Sequence, residues 1–286
     1  MRYGGGSPSP GIAPSLTHFD ARKVVRAAIL PKMRKKKNQR FRVLATDYDG
    51  ALAQGGKVSA ETIEALERLR QSGRKTVLVT GRELEDLQAV FSRIDLFDLA
   101  VTENGAVLYF PPTRTIRRLA PYLPSGVSLA LQAHRVKPLR LGRVVISTHI
   151  DQNETVARAL REYPTGVARI FNRDTLLLVP EGVDKATGLA AALAELAAPA
   201  EQCVGIGEAE NDLCFLRACG CAVAVSNALP EVQEEADFVT QSAYGEGVVD
   251  LIEALLDDPE AKFPPFTEDE EDMVDGHCSP HLSWHA

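Results

Sequence analysis

Residues 41–50 read FRVLATDYDG, and the fold follows from how this stretch is parsed. Phe41–Thr46 is a short apolar run, the pattern of a strand buried within a sheet. Asp47 and Asp49, one residue apart, follow at its C-terminal end. Gly50 opens a loop that runs to Gly56. Glycine lets the chain turn sharply there, so both carboxylates can point into one place.

Working outward, Ser59 precedes Ile63, Leu66 and Leu69 at helical spacing, and Gly73 ends that helix. Thr76–Thr80 is a second strand, Leu84, Leu87, Phe91 and Ile94 mark a second helix, and Leu99–Thr102 is a third strand. The alternation resumes late in the chain. Lys185–Leu196 is an Ala- and Leu-rich helix, Cys203–Ile206 a strand, Asn211–Ala218 a helix and Cys221–Val225 a strand. Leu229–Glu235 reads as a helix, Phe238–Val239 as a short strand and Val248–Leu256 as a final helix. Such alternation implies an α/β fold, a Rossmann-like doubly wound parallel sheet with crossover helices on both faces. Between the two halves, proline and arginine become frequent. A strand-like Val144–Ile150, a helix at Glu154–Tyr163 and strands near Val167–Phe171 and Thr175–Val179 form a small inserted α+β unit. The expected organisation is a core of residues 41–111 and 183–256, a cap of residues 112–182, and tails of residues 1–40 and 257–286.

The chain has 286 residues, 45% hydrophobic and 25% charged, with a net charge of -7. That composition is globular. No stretch reaches the roughly 18–20 apolar residues of a membrane span, and no secretory signal opens the chain, so a cytoplasmic location is expected. The N-terminal tail is basic, with Lys35, Lys36 and Lys37, and the C-terminal tail is acidic. Both read as solvated and disordered, and a charge run of this length is common in tails, so nucleic acid is not expected as a partner. The five cysteines are an odd set lying mostly in apolar segments, which reads as buried thiols.

Three clusters carry chemistry, each at the C-terminal end of an expected strand, the edge where open α/β sheets bind ligands. The first is Asp47 with Asp49. The second is Thr80-Gly81-Arg82, a hydroxyl followed by a helix start suited to an anion. The third is Gly207-Glu208-Ala209-Glu210-Asn211-Asp212, whose carboxylates suit a hard cation. Lys185 opens the preceding helix and can neutralise a phosphoryl group. Each alone is a common loop or cap feature; their order along the chain, each at a strand end or helix start, is what gives them weight.

In this order the motifs resemble those of the haloacid dehalogenase-like phosphatase superfamily, in the branch whose α+β cap follows the third strand (subclass IIB, sugar-phosphatase-like). Asp47–Leu52 resembles its first motif, Thr80 its second, Lys185 its third and Gly207–Asp212 its fourth. Glu103-Asn104-Gly105-Ala106, Asn227 and the Gly245–Val248 segment resemble that branch as well, and the likeness spans about Phe41–Leu256. Ala51 stands where the family usually has threonine, and Glu208 where it usually has aspartate.

The resemblance implies a magnesium-dependent phosphomonoester hydrolase for a small phosphorylated metabolite, a sugar phosphate or a phosphoglycolate-like acid. Asp47 would be the nucleophile and Asp49 the general acid and base. Thr80, Gly81 and Lys185 would hold the phosphoryl oxygens, with Asn211 orienting them. Magnesium would be held by Asp47, the Asp49 carbonyl, Glu208 and Asp212. Arg117, Arg143, His149 and Asn172 are candidate substrate contacts on the cap. Arg82 either faces the site or pairs with Glu83 or Glu85. Two other readings stay open: a phosphotransferase or phosphomutase using the same Asp47 chemistry, and a binding protein working through its basic N-terminal tail. Oligomeric state is not legible.

Overall fold

The computed structural model describes residues 41–163 and 166–257. Both charged tails of the sequence reading, apart from Asp257, lie outside the described residues.

From the N-terminal side the elements are β1 (Val43–Asp47), α1 (Ala60–Gln71), β2 (Lys75–Val79), α2 (Leu84–Val90), β3 (Leu99–Thr102), β4 (Val107–Phe110) and β5 (Thr115–Arg118). The cap contributes α3 (Ser125–Ala133), β6 (Arg140–Leu141), β7 (Ile146–His149), α4 (Asn153–Ala159), β8 (Val167–Asn172) and β9 (Thr175–Pro180). The chain returns through α5 (Lys185–Glu195), β10 (Cys203–Gly207), α6 (Leu213–Ala218), β11 (Cys221–Ala224), α7 (Pro230–Glu235), β12 (Phe238–Val239) and α8 (Tyr244–Leu256).

The large sheet runs in the order β12-β11-β10-β1-β2-β3-β4-β5. Its first six strands are parallel. Every residue of β1 and β10 is buried, as continuous apolar strands must be when helices cover both faces. Because β1 and β10 are neighbours in register, with Thr46 beside Ile206, their C-terminal loops emerge side by side. One continuous core joins Leu44 and Val77 of the strands to Leu66 of α1, Leu189 of α5 and Leu251 of α8.

The cap holds a four-stranded antiparallel sheet in the order β6-β7-β9-β8, and α3 and α4 close one of its faces over Val127, Leu131, Val156 and Leu176. Its other face meets the core through Val107, Val145, Leu177 and Val179.

Four details differ from the sequence reading. The cap does not begin at 112: β4 and β5 pair antiparallel, Tyr109 beside Ile116, and extend the large sheet. The prolines that gave this stretch a cap-like composition make the connection of a hairpin. Arg117 therefore belongs to the core sheet. The second helix stops at Val90, where Phe91 turns extended and sets its ring 5.6 Å from Tyr48 and 6.2 Å from Phe97. The cap helix ends at Ala159 and continues only as a short 3-10 turn. The final helix starts at Tyr244, so Gly245 and Gly247 lie inside it; their low helix propensity hid this. Both are buried, Gly245 against the Thr62 hydroxyl and Leu52 O and Gly247 against the Thr240 hydroxyl and Ser242 O.

Candidate active site

The C-terminal ends of β1, β2 and β10 converge on one cavity of about 520 Å³ beneath the cap. Asp47, Asp49, Thr80, Gly81, Arg82 and Glu208 line it from the core; Arg140, Ser147, Asn172, Arg173 and Thr175 line it from the cap.

At its floor lies Asp47, the last residue of β1, almost fully buried. Lys185 Nζ donates to Asp47 Oδ1 and to Asp212 Oδ1, both at 2.6 Å. Lys185 is in place because α5 starts there. Asp184 caps the helix by accepting from Thr187 N at 2.8 Å, and Thr187 Oγ1 accepts from Asp184 N at 3.1 Å, a complete capping box. Asp212 is held in turn by its own turn: its Oδ2 accepts from the backbone N–H of Glu208 at 2.8 Å and of Ala209 at 3.0 Å.

Burial, and next the Asp212 carboxylate, push the Asp47 carboxyl up to about 7 against the pull of Lys185. Burial also opposes the charge of Lys185, but the Asp212 and Asp47 carboxylates outweigh it and hold the ammonium above its ordinary range.

Carboxylate oxygens of Asp47, Glu208 and Asp212 all lie within 4.8 Å of one another. An all-oxygen donor set suits a hard divalent cation such as magnesium. Three buried carboxylates face two cations, Lys185 and Arg173, which leaves negative charge for an added cation to balance. The residues therefore fit the metal that the motifs imply. Glu208 reaches this cluster despite its extra methylene because Gly50 makes room. A Cβ at Gly50 would stand 2.6 Å from Glu208 Cδ, and the backbone there has φ +85°.

The loop after β1 is pinned from several sides. Tyr48 Oη donates to Gly56 O at 2.9 Å. Asn227 Nδ2 donates to Gly50 O at 2.8 Å, and Asn227 Oδ1 accepts from Tyr244 N at 2.8 Å. Ala51, fully buried, packs where threonine is usual.

Asp49 projects to the cavity wall, where Arg82 clasps it through Nε at 2.6 Å and Nη2 at 2.8 Å. The remaining Nη1 of Arg82 meets Asp86, one helical turn on. Arg82 thus faces the site and pairs with Asp49 and Asp86; Glu83 and Glu85 are not its partners. Thr80 is buried at the end of β2, its Oγ1 accepting from Arg82 N at 3.1 Å. Asn211 is buried beside the cluster, and its Nδ2 donates to Asn104 Oδ1 at 3.1 Å. Asn211 Oδ1 has no hydrogen-bond partner among the described residues.

Of the expected cap contacts, Asn172 lines the cavity. The other three are turned elsewhere. Arg117 pairs with Glu195 at 2.8 Å, outside the cavity. Arg143 pairs with Glu85 across the core–cap boundary. His149 Nδ1 lies 3.1 Å from Asp151 on the exposed side of the cap.

Sequence reasoning missed Arg173. It sits in the two-residue turn between β8 and β9, donates from Nε to Glu208 Oε1 at 3.0 Å and meets Oε2 through Nη2. It also missed the role of Glu103. That fully buried carboxylate accepts from the backbone N–H of Arg143 at 2.9 Å, Val144 at 2.8 Å and Val145 at 2.9 Å, tying the cap loop between β6 and β7 to the core. Glu103, Asn104 and Gly105 all have positive φ, and Gly105 comes so close to Asp184 O that a Cβ would be 1.9 Å away. The short Glu-Asn-Gly run was the available signal for this tight turn.

Among the described residues Cys203, Cys214, Cys219 and Cys221 form no disulfide. Among the described residues no helix is long and apolar enough to cross a membrane.

A sequence profile of haloacid dehalogenase-like hydrolases matches residues 44–120 and 133–252. The chain is 29% identical over 229 residues to the phosphoglycolate phosphatase of Methanothermobacter thermautotrophicus, across 76% of this chain and 99% of that one. A haloacid dehalogenase-like hydrolase from Bacteroides thetaiotaomicron has the same fold, with a TM-score of 0.64 at 20% identity over 75% of this chain and 99% of that one. So has a sugar phosphatase of subclass IIB, with a TM-score of 0.60 at 19% identity over 74% of this chain and 98% of that one. The strand order, the α+β cap inserted between β5 and α5 and the profile match agree: the chain belongs to the haloacid dehalogenase-like hydrolase family.

Proposed function

We infer that this phosphatase hydrolyses a small phosphorylated acid or sugar phosphate through an aspartyl-phosphate on Asp47, with magnesium as cofactor. The observation that carries the reading is the Asp47 carboxylate at the cavity floor, bonded to Lys185 and two residues from an Asp49 that faces the same cavity. The relative that is named phosphoglycolate phosphatase supports the substrate class.

In the first half-reaction an Asp47 carboxylate oxygen attacks phosphorus. The P–O ester bond breaks, and the leaving oxygen takes its proton from Asp49. In the second, Asp49 removes a proton from water as that water attacks the aspartyl-phosphate, which frees inorganic phosphate and restores Asp47. Thr80 and the Lys185 ammonium supply positioning and charge where the phosphoryl oxygens become most negative, and in phosphoryl transfer such effects dominate. Asp47, Glu208, Asp212 and the Asp49 carbonyl would hold magnesium, which when bound offsets the repulsion between a carboxylate and a phosphate dianion. Arg82 orients Asp49 by its two-pronged bond.

The test is release of p-nitrophenol from p-nitrophenyl phosphate, with magnesium and with EDTA, by wild type and by Asp47→Asn. Magnesium-dependent release that disappears in a folded Asp47→Asn variant is expected. Wild-type turnover in that variant would remove Asp47 as the nucleophile.

A further inference from the structure

Arg173 is out of place as a turn residue. It occupies a left-handed backbone position, φ 49°, in a two-residue hairpin turn, where Gly, Asn or Asp fits at lower cost. Nothing in the turn uses the guanidinium. It reaches instead out of the cap, across the cavity, to a carboxylate on the core.

The manner of that contact is informative. Nε donates to Glu208 Oε1 and Nη2 is ion-paired with Oε2, so two guanidinium nitrogens meet the two oxygens of one carboxylate, the pairing that arginine favours. Glu208 is also one of the three acids whose oxygens cluster around Asp47 within 4.8 Å. A Glu208 engaged with a cation in that cluster gives up charge to it, and the arginine fork is left facing the cavity. The other cations near these acids are committed: Arg82 on the cavity wall to Asp49 and Asp86, and Lys185, buried beneath the floor, to Asp47 and Asp212. Arg140 lies at the rim, 3.9 Å from Asp86 and largely exposed.

We propose that Arg173 is the specificity-determining residue of this site, and that its guanidinium binds the carboxylate of a compact phosphorylated acid while the core holds the phosphoryl group. In the structure the Glu208 carboxylate stands in for that of the substrate. The fork lies one carboxylate away from the nucleophile, so the second anion of the substrate must sit within a few bonds of the ester oxygen, as in 2-phosphoglycolate. Larger sugar phosphates have no such group to offer. The proposal rests on the phosphatase reading and narrows its substrate class.

The experiment compares 2-phosphoglycolate with 2-hydroxyethyl phosphate, nearly the same size but without the carboxylate. Wild type, Arg173→Gln and Arg173→Lys are assayed with magnesium, and p-nitrophenyl phosphate serves as the general phosphatase probe. Wild type is expected to favour 2-phosphoglycolate in kcat/KM by at least about tenfold, the scale of one charged hydrogen-bonded contact. Arg173→Gln should lose that preference mainly through KM, and Arg173→Lys should recover part of it. Calorimetric titration with magnesium alone gives a readout free of turnover: Arg173→Gln should bind the ion more tightly than wild type, because Glu208 no longer leaves an ion pair. Hydrolysis of p-nitrophenyl phosphate with equal use of the two test substrates would overturn the role of Arg173 and keep the phosphatase reading. The same holds for an unchanged preference in Arg173→Gln. No hydrolysis of any of the three by wild type would overturn both.

Discussion

Lys185 stands between two carboxylates that repel each other, and all three side chains are buried. Removing the ammonium while keeping the acids leaves charge in the interior without a partner. Lys185→Met should therefore lower the stability by about 3–5 kcal/mol, the usual cost of breaking one side of a buried pair. Urea unfolding measures this, and a wild-type midpoint would mean that the acids are neutral without the lysine. Gly50 makes a second prediction. Its φ of +85° and the 2.6 Å approach of Glu208 Cδ leave no place for a methyl group. Gly50→Ala should cost about 1–2 kcal/mol of backbone strain and displace Glu208, weakening magnesium binding in a calorimetric titration. Unaltered affinity would show that Glu208 does not hold the ion. At this scale Asp47, Thr80, Lys185 and Glu208 were legible because each ends a strand or starts a helix, and sheet topology brings those ends together whatever the loops do. Arg173 was not, because its direction depends on how one hairpin turn is oriented above the core. Arg117 and His149 failed as candidates for the converse reason: composition names charged residues but does not say which face they occupy.

Elements carry the next level of control. The capping box on α5 places Lys185 at the first helical residue, so the helix cap and the buried lysine are one unit. Asp184→Ala should cost about 1 kcal/mol through the lost cap, seen as a lower melting temperature, and should reduce turnover by letting the first turn fray. Wild-type turnover at a lowered melting temperature would separate the cap from the positioning of Lys185. The loop between β6 and β7 is bound in the same indirect way by Glu103. Its carboxylate takes three backbone N–H bonds that no neutral side chain reproduces in strength. In Glu103→Gln, faster hydrogen exchange is expected at Val144 and Val145, with core strands unchanged. The strand-helix alternation of the core could be read from apolar periodicity. The β4–β5 hairpin could not, because two prolines in its connection resemble the composition of an irregular insertion.

At the scale of the whole molecule, the side-chain polar contacts between cap and core among the described residues have one sense. Carboxylates of Glu85, Asp86, Glu103 and Glu208 lie on the core; Arg143, Arg140, backbone N–H groups and Arg173 answer from the cap. The Arg143 and Arg140 pairs are solvent-exposed and should be screened at about 1 M salt, where the Debye length falls to about 3 Å. The Glu103 anchor is buried and should not be. High salt is thus expected to leave the wild-type cap docked and to loosen it in Glu103→Gln, as followed by hydrogen exchange across the cap–core boundary. Equal loosening in both proteins would mean that the exposed pairs do the holding. The two margins of the large sheet have a consequence of another kind. One margin, β12, is two residues long, and the other, β5, has all four of its residues exposed, two of them adjacent arginines. A bare strand edge invites a second chain to add itself by backbone pairing, and shortness on one side with like charges on the other discourages it. The same hairpin that widened the sheet thereby guards it against aggregation.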